Sequence, residues 1–316
     1  MMANQERFFQ HDGVRYRFLT WERNAAKAAP VVLLHGFAQS ADSWDGVAGL
    51  LCRERSVVAL DLVGHGGSDQ PDDVAAYALE AQAEALLAFL AFVACGDSCA
   101  LDAQGSGSLG ASRAPSSKEA KKPGVKGPEP LVVGYSMGGR VALAAACRNP
   151  RAFGGLVLES VGLGPTDERE RAASAERDAR NAAALRNDGL DAFMDAWERL
   201  PLFASQRDLP KATRARLRAG RLDNDAEALA LTFEGAGQHA MPNRETVLEA
   251  LESLARGGAS VLYLAGSHDE KYRSLAERLR DGGTCPVRIV EGAGHNVHLE
   301  NPATYAHILE EFLARA

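Results

Sequence analysis

The chain has 316 residues, of which 46% are hydrophobic and 24% are charged, a composition typical of a globular protein with a sizeable core. Its formal net charge of -7 argues against nucleic acid as a partner. No stretch is apolar for long enough to span a membrane, and residues 1–7 lack the apolar core of a secretion signal. The five cysteines, an odd number without metal-ligand spacing, indicate a reducing compartment.

Short apolar runs along the chain predict the strands of a mostly parallel sheet. Residues 8–18 alternate around Asp12-Gly13 and predict a β-hairpin. Six apolar runs read as buried strands: 30–34, 56–60, 131–133, 155–158, 261–264 and 287–290. Residues 75–94 have helical periodicity, and helices fit between most of the strands. We therefore expect an α/β fold in which crossover helices flank a central sheet.

Two segments interrupt this alternation. Residues 96–130 are rich in Gly, Ser, Ala, Lys and Pro, and we predict a disordered insertion because they cannot bury enough apolar surface to order themselves. Residues 164–257 are helical and charged, and they contain no strand-like run. We interpret them as a helical cap over the carboxyl edge of a core formed by 1–163 and 258–316, the edge where open α/β sheets bind ligands.

The pattern Gly-x-Ser-x-Gly at residues 134–138 predicts a nucleophile. An apolar strand precedes it and a helix follows, which is the context of a strained turn that exposes a serine. Ser136 is the predicted nucleophile. The backbone N–H groups of Met137 and Phe37 are the predicted oxyanion donors, since each lies just after a strand.

Two further candidates follow later strands, in the chain order Ser136, Asp269, His295. His295 would remove the proton of Ser136, and Asp269 would fix the tautomer of the imidazole. His268 and His298 compete with His295 for the role of base because they lie close by in the sequence. His35 fits better as a residue that orders the oxyanion loop than as a proton carrier.

Arg140 lies one helical turn after Ser136. A cation at the positive end of a helix dipole is unfavourable for stability. Its presence is explained if Arg140 binds a carboxylate of the substrate.

Several motifs together resemble one branch of the α/β hydrolases, the 2-succinyl-6-hydroxy-2,4-cyclohexadiene-1-carboxylate synthases of menaquinone and phylloquinone biosynthesis. The similar stretches are Gly134-Tyr-Ser-Met-Gly-Gly-Arg140, His35-Gly-Phe37, Leu158-Glu-Ser160, Trp197-Glu-Arg-Leu-Pro-Leu-Phe-Ala-Ser205, Arg221-Leu-Asp-Asn224 and Gly294-His-Asn-Val-His-Leu-Glu-Asn301. The stretch that begins at Trp197 is the most specific, because hydrolases in general have no reason to share it.

The resemblance implies a carbon–oxygen lyase that eliminates pyruvate and needs no cofactor. Its substrate would be a small polycarboxylate, whose carboxylates Arg140 and Arg221 would bind. Tyr135 would also contact the substrate, and Trp197 would pack on it or wall the pocket. The resemblance also implies a cytoplasmic protein, or a plastid protein in a photosynthetic source. A carboxylesterase or C–C bond hydrolase on the same fold is the alternative, and a ligand receptor without catalysis is a third reading.

The sequence departs from the family pattern at two places in the cap. Glu198 follows Trp197 where the family commonly has a tyrosine. Ser174 stands where a further family arginine is expected, so Arg171 or Arg169 would have to take that role.

Overall fold

The structure, a computed structural model, describes residues 4–21, 28–53, 55–95 and 128–314. Most of the predicted disordered insertion, residues 96–127, lies outside these ranges. Within them, no helix is long and apolar enough to cross a membrane.

One eight-stranded sheet forms the centre of the molecule, in the order β1-β2-β4-β3-β5-β6-β7-β8. The β1–β2 and β2–β4 pairs are antiparallel, and all other neighbours are parallel. The predicted α/β fold is confirmed, and each predicted strand is present. The strands are β1 Gln5–His11, β2 Val14–Trp21, β3 Val31–Leu34, β4 Val57–Leu60, β5 Leu131–Tyr135, β6 Gly155–Glu159, β7 Ser260–Gly266 and β8 Val287–Val290.

Helices cover both faces of this sheet because its strands are apolar on both sides. In β3, Val31 and Leu33 face one hydrophobic core while Val32 and Leu34 face the other, as the two-residue period of a strand requires. One core includes α2, α3, α7 and α8, and the other includes α1 and α10. The helices are α1 Asp45–Leu51, α2 Leu79–Cys95, α3 Met137–Arg148, α4 Glu168–Trp197, α5 Lys211–Leu222, α6 Ala226–Ala236, α7 Arg244–Arg256, α8 Glu270–Asp281, α9 Val297–Glu300 and α10 Pro302–Leu313.

The segment between β6 and β7 is helical, as its sequence indicates. Helices α4 and α6 pack together around a small core of their own, which also takes in Ala38 from the loop after β3. Helix α6 also contributes Ala228, Leu231 and Ala236 to the main core. Helix α7 differs because it contributes to the main core but not to the cap core, and it contacts α3. We therefore propose that the cap ends before α7 and not at residue 257.

Candidate active site

Ser136 occupies the sharp turn between β5 and α3. Its backbone has φ 48° and ψ −106°, a conformation that costs energy for a residue with a side chain. Gly134 and Gly139 allow the turn, since a Cβ on Gly134 would lie 2.5 Å from the Cα of Gly139. A Cβ on Gly138 would lie equally close to the carbonyl oxygen of Leu34. The glycines of the motif are therefore required by close backbone packing.

Three side chains meet at the carboxyl edge of the sheet. His295 Nε2 lies 3.2 Å from Ser136 Oγ, and His295 Nδ1 lies 2.6 Å from Asp269 Oδ2. Asp269 and His295 are buried, and the second oxygen of Asp269 accepts a hydrogen bond from the Tyr272 N–H at the start of α8. These distances permit proton transfer from the serine to a histidine whose tautomer the carboxylate fixes.

The competing histidines lie elsewhere. His268 is exposed. His298 is fully buried, and it donates to the Glu159 carboxylate through Nδ1 at 2.8 Å and through its backbone N–H at 3.1 Å. The main-chain oxygen of Glu159 accepts from the Ser136 N–H at 2.9 Å. Glu159 thus connects the nucleophile turn to the segment that carries His295.

The predicted oxyanion donors lie side by side, because Leu34 pairs with Gly134 in the sheet and the loops after β3 and β5 leave it together. Among the described residues, the backbone N–H groups of Phe37 and Met137 have no hydrogen-bond acceptor. Both are therefore available to a developing negative charge.

His35 supports the loop that carries Phe37. Its Nδ1 lies 2.8 Å from the Gly36 carbonyl oxygen, and its Nε2 accepts from the Leu62 N–H at 3.0 Å. Burial lowers the pKa of His35 to about 4, so the ring is neutral at pH 7 and can accept that hydrogen bond. This placement agrees with the ordering role expected from the sequence.

A cavity of about 480 Å³ opens above Ser136 and His295, between the sheet edge and the cap. This volume is typical of small-molecule sites, which span about 300–1,000 Å³. Aromatic rings form one part of the wall, and cations form another. The aromatic residues are Phe37, Tyr135, Phe193, Trp197, Phe203, Phe233 and Tyr272, and the cationic residues are Arg140, Arg177, Arg221 and Lys271.

Arg140 lines this cavity without a partner. Within the residues that the structure describes, its guanidinium makes no hydrogen bond or ion pair. Burial lowers the pKa of Arg140, although an arginine remains charged at physiological pH. Arg140 is partly buried, and its unpaired guanidinium is available to bind an incoming carboxylate.

Arg221 also lines the cavity, but it is already paired. Its Nη1 lies 2.9 Å from Glu198 Oε1, and its Nη2 donates to Gln206 Oε1 at 3.0 Å. The guanidinium also lies over the ring of Phe203. A substrate carboxylate at Arg221 would therefore compete with the carboxylate of Glu198, the residue that departs from the family pattern.

Arg171, the replacement expected for the missing family arginine, does not reach the cavity. Its guanidinium donates to the main-chain oxygens of His239 and Met241 and to the side chain of Asn243. The helix instead presents Arg177 to the cavity, about two turns further along α4. The sequence carries no signal that singles out Arg177 among the arginines of α4, because its position in the cavity depends on the path of the helix.

Two further predicted residues lie where the sequence suggests. Trp197 packs in the cap against Phe193 and Phe37, with ring centroids 5.6 and 5.2 Å apart, and its ring lines the cavity. Tyr135 is buried beside His295, and burial raises the pKa of its hydroxyl, which keeps it protonated. Lys271 was not anticipated, and it enters the cavity from the first turn of α8.

Comparison with known proteins places this geometry in a family. Residues 31–308 match the alpha/beta hydrolase family. A Bacillus subtilis (strain 168) protein provisionally assigned as 2-succinyl-6-hydroxy-2,4-cyclohexadiene-1-carboxylate synthase is 32% identical over 303 residues, 96% of each chain. The synthase of that name from Citrobacter koseri is 38% identical over 183 residues, 58% of this chain and 67% of its own length.

A solved structure agrees on the fold. MenH from S. aureus superposes with a TM-score of 0.77 at 24% identity, over 94% of this chain and 98% of its own. The resemblance stated from the sequence is therefore confirmed. The chain belongs to the alpha/beta hydrolase family and, within it, to the family of the 2-succinyl-6-hydroxy-2,4-cyclohexadiene-1-carboxylate synthases.

Proposed function

We propose that this protein is a carbon–oxygen lyase that eliminates pyruvate from 2-succinyl-5-enolpyruvyl-6-hydroxy-3-cyclohexene-1-carboxylate. The product is 2-succinyl-6-hydroxy-2,4-cyclohexadiene-1-carboxylate. The observation that carries the proposal is Arg140, an unpaired guanidinium in the cavity of the Ser136–His295–Asp269 triad. A neutral ester gives this arginine no partner, whereas a polycarboxylate does.

In the proposed reaction, the triad acts as a base. His295 takes the proton of Ser136 as the serine oxygen removes a proton from the ring, and Asp269 stabilises the imidazolium. The electron pair of the broken C–H bond first forms an enolate-like anion, which the N–H groups of Phe37 and Met137 stabilise. This pair then forms the C2–C3 double bond, the existing C3–C4 double bond shifts to C4–C5, and the C–O bond between C5 and the enolpyruvyl group breaks. Pyruvate leaves as its enolate, which takes up a proton.

The remaining cavity residues would bind the substrate. Arg140 would hold one carboxylate, Arg177 and Lys271 a second, and Arg221 would act in exchange with Glu198. Trp197 would pack on the ring, and the aromatic wall would exclude water from the enolate-like charge. Tyr135 would set the orientation of His295 through the contact between their rings.

A carboxylesterase or C–C bond hydrolase is the second candidate, because the triad and the two free amides also suit attack by serine on a carbonyl. The test is a spectrophotometric assay in which the enolpyruvyl-cyclohexene substrate is generated in situ. We expect rapid diene formation with stoichiometric pyruvate, and slow turnover of aryl esters. Turnover of aryl esters without elimination would establish the hydrolase instead.

A further inference from the structure

A second cavity, of about 410 Å³, lies beside the catalytic one. The 3₁₀ segment Pro201–Asp208 and helix α5 supply most of its wall. Phe203 and Arg221 line both cavities. We call the second cavity the outer pocket.

The outer pocket is strongly basic. Among its lining residues one side chain is acidic, Glu198, and five are basic: Arg207, Lys211, Arg214, Arg218 and Arg221. Four of the five lie on α5 at spacings of three, four and three residues, and therefore on one face of the helix.

The carboxylate of Glu198 does not neutralise this set. It is shared between Arg221, at 2.9 Å, and Arg218, at 3.4 Å, and Arg218 also pairs with Asp195 at 2.8 Å and with Asp191 at 3.6 Å. Lys211 and Arg214 are exposed, and within the described part of the chain neither has an ion-pair partner. Arg207 donates to a main-chain oxygen, that of Arg199. The uncompensated positive charge of the pocket is therefore that of Lys211, Arg214 and Arg207, which have no acidic partner among the described residues, whereas Arg218 and Arg221 are paired.

Gln206 supplies a second, independent observation. This residue is 6% exposed, and it lines the outer pocket but not the catalytic cavity. Its Oε1 accepts from Arg221, whereas its buried Nε2 has no partner among the described residues. A buried N–H donor without an acceptor is unfavourable, and a carboxylate oxygen bound at this wall of the pocket would supply the acceptor.

We propose that the outer pocket binds the carboxylates of a small polycarboxylate anion. Gln206 Nε2 and the guanidinium of Arg218 would hold one carboxylate, with Lys211 and Arg214 at the entrance. Two anions fit this description. The first is the substrate of the reaction before it enters the catalytic cavity, an assignment that rests on the proposed function. The second is a separate metabolite whose binding affects the catalytic cavity through Arg221.

Binding is tested with succinate as a dicarboxylate probe, by calorimetric titration of the intact protein. We expect the Lys211→Gln/Arg214→Gln double variant to bind succinate about tenfold more weakly, equivalent to roughly 1.4 kcal/mol. The Arg140→Gln variant, altered only in the catalytic cavity, shows which site binds succinate. We expect its affinity for succinate at the outer pocket to be unchanged. The matched control is Arg256→Gln/Arg288→Gln, which removes two exposed charges on α7 and β8. Equal affinity in both double variants, or no succinate binding by the wild type, would overturn the proposal.

Kinetics distinguish the two sources. If the substrate occupies the pocket, the double variant loses about tenfold in kcat/KM at low ionic strength, with kcat unchanged. That difference disappears near 1 M salt, where screening acts over about 3 Å. If a separate metabolite occupies it, succinate changes the KM of the wild type and has no effect on the double variant. Kinetics that respond neither to the double substitution nor to added succinate would contradict the proposal. The succinate titration measures binding alone, so its result does not depend on which reaction the enzyme catalyses.

Discussion

The carboxylate of Glu198 lies 2.9 Å from the guanidinium of Arg221 in the cap. Arg221 is buried, so it requires an acceptor whenever the cavity is empty. Glu198 supplies one, and a substrate carboxylate would then have to displace it or share the guanidinium with it.

Neutralising Glu198 is therefore expected to favour the substrate. In Glu198→Gln, the amide oxygen still accepts a hydrogen bond from Arg221. The negative charge of the glutamate, which repels a substrate carboxylate, is removed. We expect KM to fall by about fivefold, roughly 1 kcal/mol, with kcat unchanged. Glu234→Gln is the matched control, because Glu234 pairs with the Arg186 side chain and does not line the cavity. An unchanged KM in Glu198→Gln would show that Arg221 does not contact the substrate.

Arg140 is expected to act mainly in binding. Arg140→Gln removes a charge-assisted hydrogen bond of about 1.5–3 kcal/mol, so KM should rise about tenfold to a hundredfold while the protein remains folded. Arg148→Gln, at the end of the same helix and paired with Glu84, should leave KM unchanged. Steady-state kinetics of the two variants check this expectation, and equal KM values would make Arg140 a bystander.

Glu159 is expected to support catalysis by holding the segment that carries His295. Glu159→Gln weakens a fully buried pair with His298, which should lower the free energy of unfolding by roughly 3 kcal/mol. It should also reduce kcat with little change in KM, because Ser136 and His295 lose their fixed separation. Glu311→Gln, which breaks the surface pair with His307, should cost less than about 1 kcal/mol. Urea unfolding and kinetics of both variants test this, and a Glu159→Gln enzyme with normal kcat would refute the positioning role.

Acid is expected to destabilise the protein through two buried histidines. Burial lowers the pKa of His35 to about 4 and that of His65 to about 3. Because these values lie below the unfolded value of about 6.5, the unfolded chain binds more protons as the pH falls. Each histidine therefore contributes stability that is present above pH 6.5 and is lost progressively below it, by about 1.4 kcal/mol per unit until its folded pKa is reached.

Denaturant unfolding between pH 7.5 and pH 4.5 measures this slope. We expect a shallower slope in His65→Gln, whose ring has an unpartnered Nε2 among the described residues. The exposed His307→Gln should leave it unchanged. The same slope in both variants would show that His65 does not contribute.

The sheet could be predicted from the sequence because its buried strands are short apolar runs, which are typical of strands and too short for buried helices. The Asp12-Gly13 turn was equally clear, and both residues adopt the positive φ that a tight hairpin requires. The extent of the cap was less predictable. Helix α7 has an amphipathic pattern, and this pattern does not reveal that its apolar face packs on α3 and not on the cap.

The candidate site was likewise predictable in part. Ser136, Asp269 and His295 could be predicted because each follows a strand, and the strands of a parallel sheet end at one edge. The cap arginines could not be ranked, since their roles depend on partners distant in sequence. Arg171 is occupied by the 239–243 segment, whereas Arg177 reaches the cavity, and only the three-dimensional path of α4 distinguishes them.

The central claim is that Ser136 acts as a base in an elimination. The most direct test is single-turnover elimination with a substrate that carries deuterium at the ring carbon that loses its proton, measured for the wild type and for Ser136→Ala. We predict a primary isotope effect on diene formation in the wild type, and a rate lower by orders of magnitude in Ser136→Ala. Equal rates for the two isotopic substrates together with a covalent adduct on Ser136, or a Ser136→Ala enzyme as fast as the wild type, would contradict it.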